Sequence, residues 1–366
     1  MKALLVETEK IEKNIKTIRK AAGDRQIIAA LKADGYGFGL IPLAQLLVER
    51  CGINFFAVTD PRDALKLREN GFTEQQILVM RSTALHEEIG MILDAQAIAA
   101  VGSHDAAVAI NGLAKQRGIT ARVHIKIDTG MGRYGFLPEQ IDKILSIYRF
   151  MENLQPCGIY THFNQAFKSK SKTIKQRDAF ADVLKKIKDA GFEYGMAHAE
   201  NSAAALRLNL GCFDAVRIGS AISGRLAGKG GTRGLCRTGV LCADIHELRW
   251  LKKGDSIGYG AAYRARRPIK TAVVDAGYCD GVLTERVRDV YRLRDCIRYC
   301  LSDLKRLVSG GRFYVTLNGK KARILGHVGM VHTVIDVSDI KCEVGDTVFF
   351  DVAPAMINAS VQRKYI

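Results

Sequence analysis

Five polar clusters in the first 225 residues stand where apolar runs end. Lys32 closes the run that begins at Ile27, inside LKADGYGFG (31–39). Lys126 lies in a second run, which passes into Asp128-Thr129-Gly130-Met131-Gly132-Arg133. A third ends at Thr161-His162-Phe163-Asn164, a fourth at His198-Ala199-Glu200-Asn201-Ser202, and a fifth holds Arg217 before Gly219-Ser220. A lysine amine can take a carbonyl, guanidinium groups can hold acceptor atoms, and amides and hydroxyls at helix starts can hold phosphate. Together the clusters suit an anionic cofactor or substrate. Taken singly, each has a plain structural reading. A lysine at a strand end snorkels to water, Asn-Ser before a helix is an ordinary cap, and an arginine can pair with a neighbouring carboxylate.

The elements that must position these groups alternate. Candidate strands are 27–33, 53–60, 76–80, 97–103, 121–128, 156–163, 195–200 and 215–219. Helical spacing fills the stretches between them, as at 61–71, 104–117, 138–151 and 173–190. Such alternation implies a parallel sheet. Eight repeats in about 220 residues match a (β/α)8 TIM-like barrel, whose chemistry gathers at the C-terminal ends of its strands. An open doubly wound sheet is the alternative, but no GxGxxG follows the first strand. After about residue 235 strand-like runs recur with short Gly-containing connections. This predicts a C-terminal, mostly antiparallel β domain. The expected division is 1–230 for the barrel and 231–366 for the β domain, with the first strand free to pack with the latter. The exception is 285–308, with the spacing of an amphipathic helix.

The chain has 366 residues, which suggests two domains, and its 48% hydrophobic and 25% charged content is that of a globular protein. Disorder, collagen and coiled coil are excluded on composition. No apolar run reaches the roughly 18 residues of a membrane span. The first residues lack the apolar core of a signal peptide. Nine cysteines without CxxC pairs fit reduced thiols in a cytoplasmic protein rather than a disulfide framework, and no metal site is expected. The formal net charge is +17. Residues 285–323 hold eleven basic and four acidic side chains, so the excess is concentrated there. Charge alone names no partner, and no basic motif interleaved with aromatics is present, so neither nucleic acid nor membrane is expected as a partner.

In order along the chain stand LKADGYGFG (31–39), HIKIDTGMGRYGF (124–136), THF (161–163), NSAAAL (201–206), VRIGSAISG (216–224), SIGYGAAY (256–263), GYCDG (277–281) and GHVGM (326–330). With these motifs the sequence resembles the alanine racemase family, fold-type III enzymes that use pyridoxal 5'-phosphate (PLP). The resemblance implies a PLP-binding barrel, a C-terminal β domain and a head-to-tail homodimer with shared active sites. It implies that Lys32 carries the cofactor and that Tyr259 of the partner subunit is the second acid/base. His162 and Arg217 would support that tyrosine, and Arg217 would face the pyridine nitrogen. Tyr36, Asn201, Ser202, Gly219 and Ser220 would hold the cofactor and its phosphate. Arg133 would meet the substrate carboxylate, held by Lys126, a lysine often carbamylated in this family. Tyr278 and Met330 would shape the approach of substrate. The implied activity interconverts L- and D-alanine, supplying D-alanine for peptidoglycan.

The sequence departs from the family pattern at Asp34-Gly35, Phe38, His327 and Val331. In the tail, Asn358 or Ala359 stands where a phosphate-binding tyrosine is usual. These departures leave open a serine or broad-specificity racemase. A non-catalytic PLP-binding protein is the reading from another class. Against it, the chain has the β domain and its tyrosine.

Overall fold

A computed structural model describes residues 1–366 apart from 229, 230, 286, 309 and 310. The chain opens with strand β1, Lys2–Val6, and helix α1, Thr8–Ala22. It divides into two compact units, Thr8–Thr238 and Met1–Glu7 with Gly239–Ile366. The division thus falls at 238/239 rather than 230/231, and the first seven residues belong with the C-terminal unit.

Eight parallel strands close the N-terminal unit into a barrel. They are β2 Gln26–Ala30, β3 Phe55–Val58, β4 Gln76–Val79, β5 Ile98–Val101, β6 Ala121–Lys126, β7 Leu154–Tyr160, β8 Met196–Asn201 and β9 Ala215–Ile218. Closure comes from β2 pairing with β9, Ile27 opposite Val216. Each expected strand is present, most of them a little shorter than the apolar run. The helices are α2 Lys32–Tyr36, α3 Leu40–Glu49, α4 Pro61–Glu69, α5 His86–Asp94, α6 His104–Gln116, α7 Ile141–Phe150 and α8 Lys170–Asp189. Strands such as Phe55–Val58 and Ile98–Val101 are buried at every position, because a barrel strand faces side chains inside and helices outside. Ile28, Phe55, Leu78 and Ile98 pack in one such core layer.

The C-terminal unit holds an eight-stranded sheet. Its strands are β1, β10 Val240–Leu251, β13 Ile269–Val274, β14 Tyr314–Leu317, β15 Lys320–Ile324, β16 Thr333–Asp336, β17 Thr347–Asp351 and β18 Gln362–Tyr365. A separate pair, β11 Ser256–Ile257 and β12 Tyr263–Arg264, flanks a short turn at Tyr259–Ala261. The pairings are antiparallel except β1 with β18. Helix α9 spans Leu293–Val308, so the described residues of 285–292 are not helical as their spacing suggested. Glu285 and Arg288 instead pair back onto the helix, with Arg306 and Asp303; residue 286 lies outside the described residues.

Candidate active site

Lys32 follows β2 directly and begins a turn of unusual hand. Ala33, Asp34, Gly35 and Tyr36 all have φ between 52° and 62°. Non-glycine residues in this region carry strain of about 1 kcal/mol each. The turn is held because the Asp34 carboxylate accepts from Leu40 N–H at 2.8 Å, capping α3. Asp34 therefore has a structural task here, and Phe38 fills the core, fully buried.

At the ends of β8 and β9 the next groups are fixed by hydrogen bonds. Asn201 Oδ1 accepts from the N–H of Ala203 and of Ala204, both at 3.1 Å, as an N-cap. Ser202 Oγ accepts from Gly219 N–H at 3.1 Å, which leaves its own proton free to donate. A Cβ on Gly219 would lie 2.1 Å from Tyr36 Oη, so only glycine lets the two meet. From α1, the Asn14 amide grips the following loop at Ile222 O (2.9 Å) and at Cys236 O (2.8 Å).

These groups meet in one cavity of about 200 Å³. Lys32, Tyr36, His162, Asn201, Ser202, Arg217, Gly219 and Ser220, all the residues expected to hold a cofactor, line it. So do Met80 and Phe167, which sequence reasoning did not single out. The lining includes two cationic side chains and no carboxylate. Burial pushes the Tyr36 phenol up to about 12, keeping its proton available for donation. Burial, with Arg133 nearby, pulls the Lys32 amine below the usual lysine range.

Arg217 is buried without an ion-pair partner among the described residues. Burial brings it down to about 10, so it still carries its proton at neutral pH. Its Nη1 donates to His198 Nδ1 at 2.5 Å, and its Nη2 to Thr161 O at 2.6 Å and His162 Nδ1 at 3.3 Å. Burial, then Arg217 and other cations, hold His162 down to about 3. His162 is therefore neutral, and an acceptor at Nδ1 must carry its proton on Nε2. The Asn201 amide donates to Phe163 O at 2.9 Å, and its nitrogen lies 3.5 Å from His162 Nε2. Behind Arg217, His198 Nε2 meets His124 Nδ1 at 2.9 Å, and the Tyr160 ring stacks on His198 at 5.0 Å. His124 and His198 support the site, yet sequence reasoning gave them no role. The available signal was alternation: His124 and Lys126 are two apart on β6 and share a face.

Lys126 is buried and is brought down to about 8 by burial, then by Arg133 and Arg217. Its amine sits 5.3 Å from the Tyr134 ring and 5.4 Å from the Tyr160 ring. Arg133 lies on the loop after β6. The Asp128 carboxylate accepts from four backbone N–H groups of that loop, Gly130 to Arg133, at 2.6 to 3.0 Å. Burial alone would raise Asp128; these four donors outweigh it and hold it below the usual range. Arg133 lines a neighbouring cleft with Ser82, Ser103 and Tyr134 rather than the Lys32 cavity.

Tyr259, Tyr278 and Met330 belong to the C-terminal unit, where they are exposed. Tyr278 N–H donates to Gly329 O and Cys279 N–H to Met330 O, both at 3.0 Å. A Cβ on Gly277 would lie 2.3 Å from Met330 O, so glycine permits this close approach. Asn358 is occupied within its own turn, accepting from Ser360 N–H at 3.0 Å and from Arg363 at 2.8 Å.

Residues 6–226 match the family described as alanine racemase, N-terminal domain, and residues 240–361 its C-terminal domain. The chain belongs to the alanine racemase family. An alanine racemase of Desulforamulus reducens is 32% identical over 342 residues, 92% of this chain and 85% of that protein. The alanine racemase of Clostridium difficile 630 superposes with a TM-score of 0.86 at 26% identity, over 100% of this chain and 95% of that one. That of Bacillus anthracis, solved with bound L-Ala-P, gives 0.83 at 26% identity over the same shares. Like them, this alanine racemase family member pairs a barrel with a β domain. Among the described residues no helix is long and apolar enough to cross a membrane, and no cluster of three metal-ligating side chains occurs.

Proposed function

We propose that the protein is a PLP-dependent alanine racemase that works with two bases. The observation that carries this reading is the Lys32 cavity, lined by the whole set of cofactor residues named by the motifs. Its donors suit PLP. The hydroxyls of Tyr36 and Ser202 and the amides of Gly219 and Ser220 fit a phosphate, Arg217 an unprotonated ring nitrogen, and the Lys32 amine an aldehyde. PLP, when bound, supplies an electron sink for the charge left at Cα.

Racemisation removes the Cα proton from one face and returns one on the other. That requires bases on opposite faces. Lys32 is one, and the burial that lowers its amine makes it a better base near neutrality. Tyr259 of the partner subunit is the other, in a homodimer whose sites each draw on both chains. His162 and Arg217 support that phenol. Arg217, which keeps its own proton, would face the ring nitrogen of bound PLP and favour its unprotonated form. That would restrain side reactions such as transamination. Arg133, close enough to Lys32 to lower its amine though it lines the adjoining cleft, would reach in to the substrate carboxylate with Lys126 behind it, and Tyr278 and Met330 would shape its approach. The product D-alanine would serve peptidoglycan synthesis in the cytoplasm.

The test is a panel of L-amino acids with added PLP, scored for D-product. Alanine should lead serine by about a hundredfold, about 2.7 kcal/mol at the transition state. Racemisation by Lys32→Ala at the wild-type rate would sink the reading. A lead for serine, motivated by His327 and Val331 beside Met330, would move it to a serine racemase.

A further inference from the structure

Helix α9 has no part in the chemistry above, and its surface is unusual. Leu293, Ile297, Leu301, Leu304, Leu307 and Val308 are 79, 52, 62, 57, 77 and 83% exposed. At 3.6 residues per turn these six fall in one stripe about 120° wide and about 24 Å long. Exposed apolar stripes of this size mark interaction sites.

The other side of the helix is engaged. The Arg288 guanidinium grips the Asp303 carboxylate with two bonds, at 2.7 and 2.6 Å, and lies 4.7 Å from the Tyr299 ring. Glu285 pairs with Arg306 at 3.5 Å. The chain leading into α9 thus braces its polar side and leaves the apolar stripe outward. Arg294, Arg298 and Lys305 border the stripe along one edge, all exposed, with Arg298 also paired to Asp295 at 3.1 Å.

We propose that α9 docks this protein on an anionic lipid membrane, lying in the interface with its apolar stripe among the acyl chains. Arg294, Arg298 and Lys305 would meet headgroup phosphates. Charge complementarity selects this occupant. The α9 of a second copy offers these cations only carboxylates already engaged, Asp303 by Arg288 and Asp295 by Arg292, and a nucleic acid has no use for six exposed aliphatic side chains. This partner departs from the expectation, drawn from charge and motifs, that no membrane is engaged. Lying on a bilayer requires only an amphipathic helix with a basic border. The proposal is independent of the reaction catalysed.

The experiment is vesicle co-sedimentation of the full-length PLP-loaded protein. Vesicles of phosphatidylglycerol and phosphatidylcholine should bind it at least about tenfold better than phosphatidylcholine alone, and added salt should weaken the binding. Ile297→Glu with Leu304→Glu should abolish binding, and Arg294→Glu with Arg298→Glu, which keeps the stripe, should reduce it about tenfold. Far-ultraviolet circular dichroism and amino-acid turnover establish that each variant is folded. Failure to bind anionic vesicles overturns the proposal. So does unchanged binding by either folded variant, or light scattering that shows Ile297→Glu/Leu304→Glu breaking an association between copies that vesicles do not displace.

Discussion

The Arg217 guanidinium donates to His198 Nδ1 at 2.5 Å. This bond fixes more than one atom. An imidazole that accepts at Nδ1 carries its proton at Nε2 and can pass it only toward His124. Burial, then Arg217 and His124, hold His198 well below the ordinary histidine range, so it stays neutral and keeps accepting. The fixed charge of Arg217 is thus held by neutral acceptors, which leaves its field unneutralised toward the cavity. His198→Ala should cost about 2 kcal/mol in denaturant unfolding, because a buried charged donor loses its partner. His198→Asn, which can still accept, should recover part of it. Equal losses in the two variants would show the bond to be unimportant.

Gly219 and Tyr36 make a second testable pair. Gly219→Ala puts a Cβ 2.1 Å from Tyr36 Oη and must displace the ring. PLP affinity should fall about tenfold or more, read by titration of apoenzyme. Gly219→Ala with Tyr36→Ala should lose less than the two single losses added together, since the clash disappears with the ring. Strict additivity in that cycle would argue against the contact.

For Lys126, the expected outcome concerns carbon dioxide. Its amine, at about 8, is partly unprotonated near neutrality. The free amine attacks carbon dioxide, forms an N–C bond and releases one proton, giving a carbamate beside Arg133. As pH falls through about 8 the amine protonates and less can react. Native mass spectrometry in bicarbonate should show one added carbon dioxide, absent in Lys126→Arg and diminishing as pH is lowered. Lys126→Ala should reduce kcat/KM roughly tenfold to a hundredfold, the order expected when a substrate-positioning group is misplaced.

Asp128 should make the stability of the barrel pH-dependent. Its folded-state carboxyl lies below the unfolded value. The stabilisation it gives is therefore complete above the ordinary carboxylate range and is lost as pH falls through the lower folded value. Asp128→Asn removes the charge that gathers four N–H donors and should cost about 2 kcal/mol at neutral pH. The difference from wild type should shrink in acid. A pH-independent gap in Tm would contradict this.

The proposed sharing of each site between two chains gives a numerical expectation. Lys32→Ala and Tyr259→Phe are each expected to be inactive. If each site takes Lys32 from one chain and Tyr259 from the other, random reassortment makes half the dimers mixed, each with one intact site. The mixture should recover about one quarter of the wild-type rate. No recovery after verified subunit exchange would place both bases in one chain.

Much of this was legible in the sequence because it is local. The alternation of apolar runs and helical spacing determined eight strand–helix repeats, since each run must be buried on both faces of a barrel strand. The motif around Lys32 and the Asn-Ser and Gly-Ser pairs could be placed at strand ends for the same reason. Tertiary structure decided what depends on distance across the barrel. No spacing shows that His124 on β6, His198 on β8 and Arg217 on β9 form one chain of hydrogen bonds. Their strands are far apart in sequence, and the contact exists only once the barrel closes. Nor does sequence show that Arg217 has no ion-pair partner among the described residues, or that Asp34 caps α3. The amphipathic pattern of 285–308 was visible, but its direction was not. Only the ion pairs of Arg288 and Glu285 settle that the polar side is braced by its own chain and the apolar side faces outward.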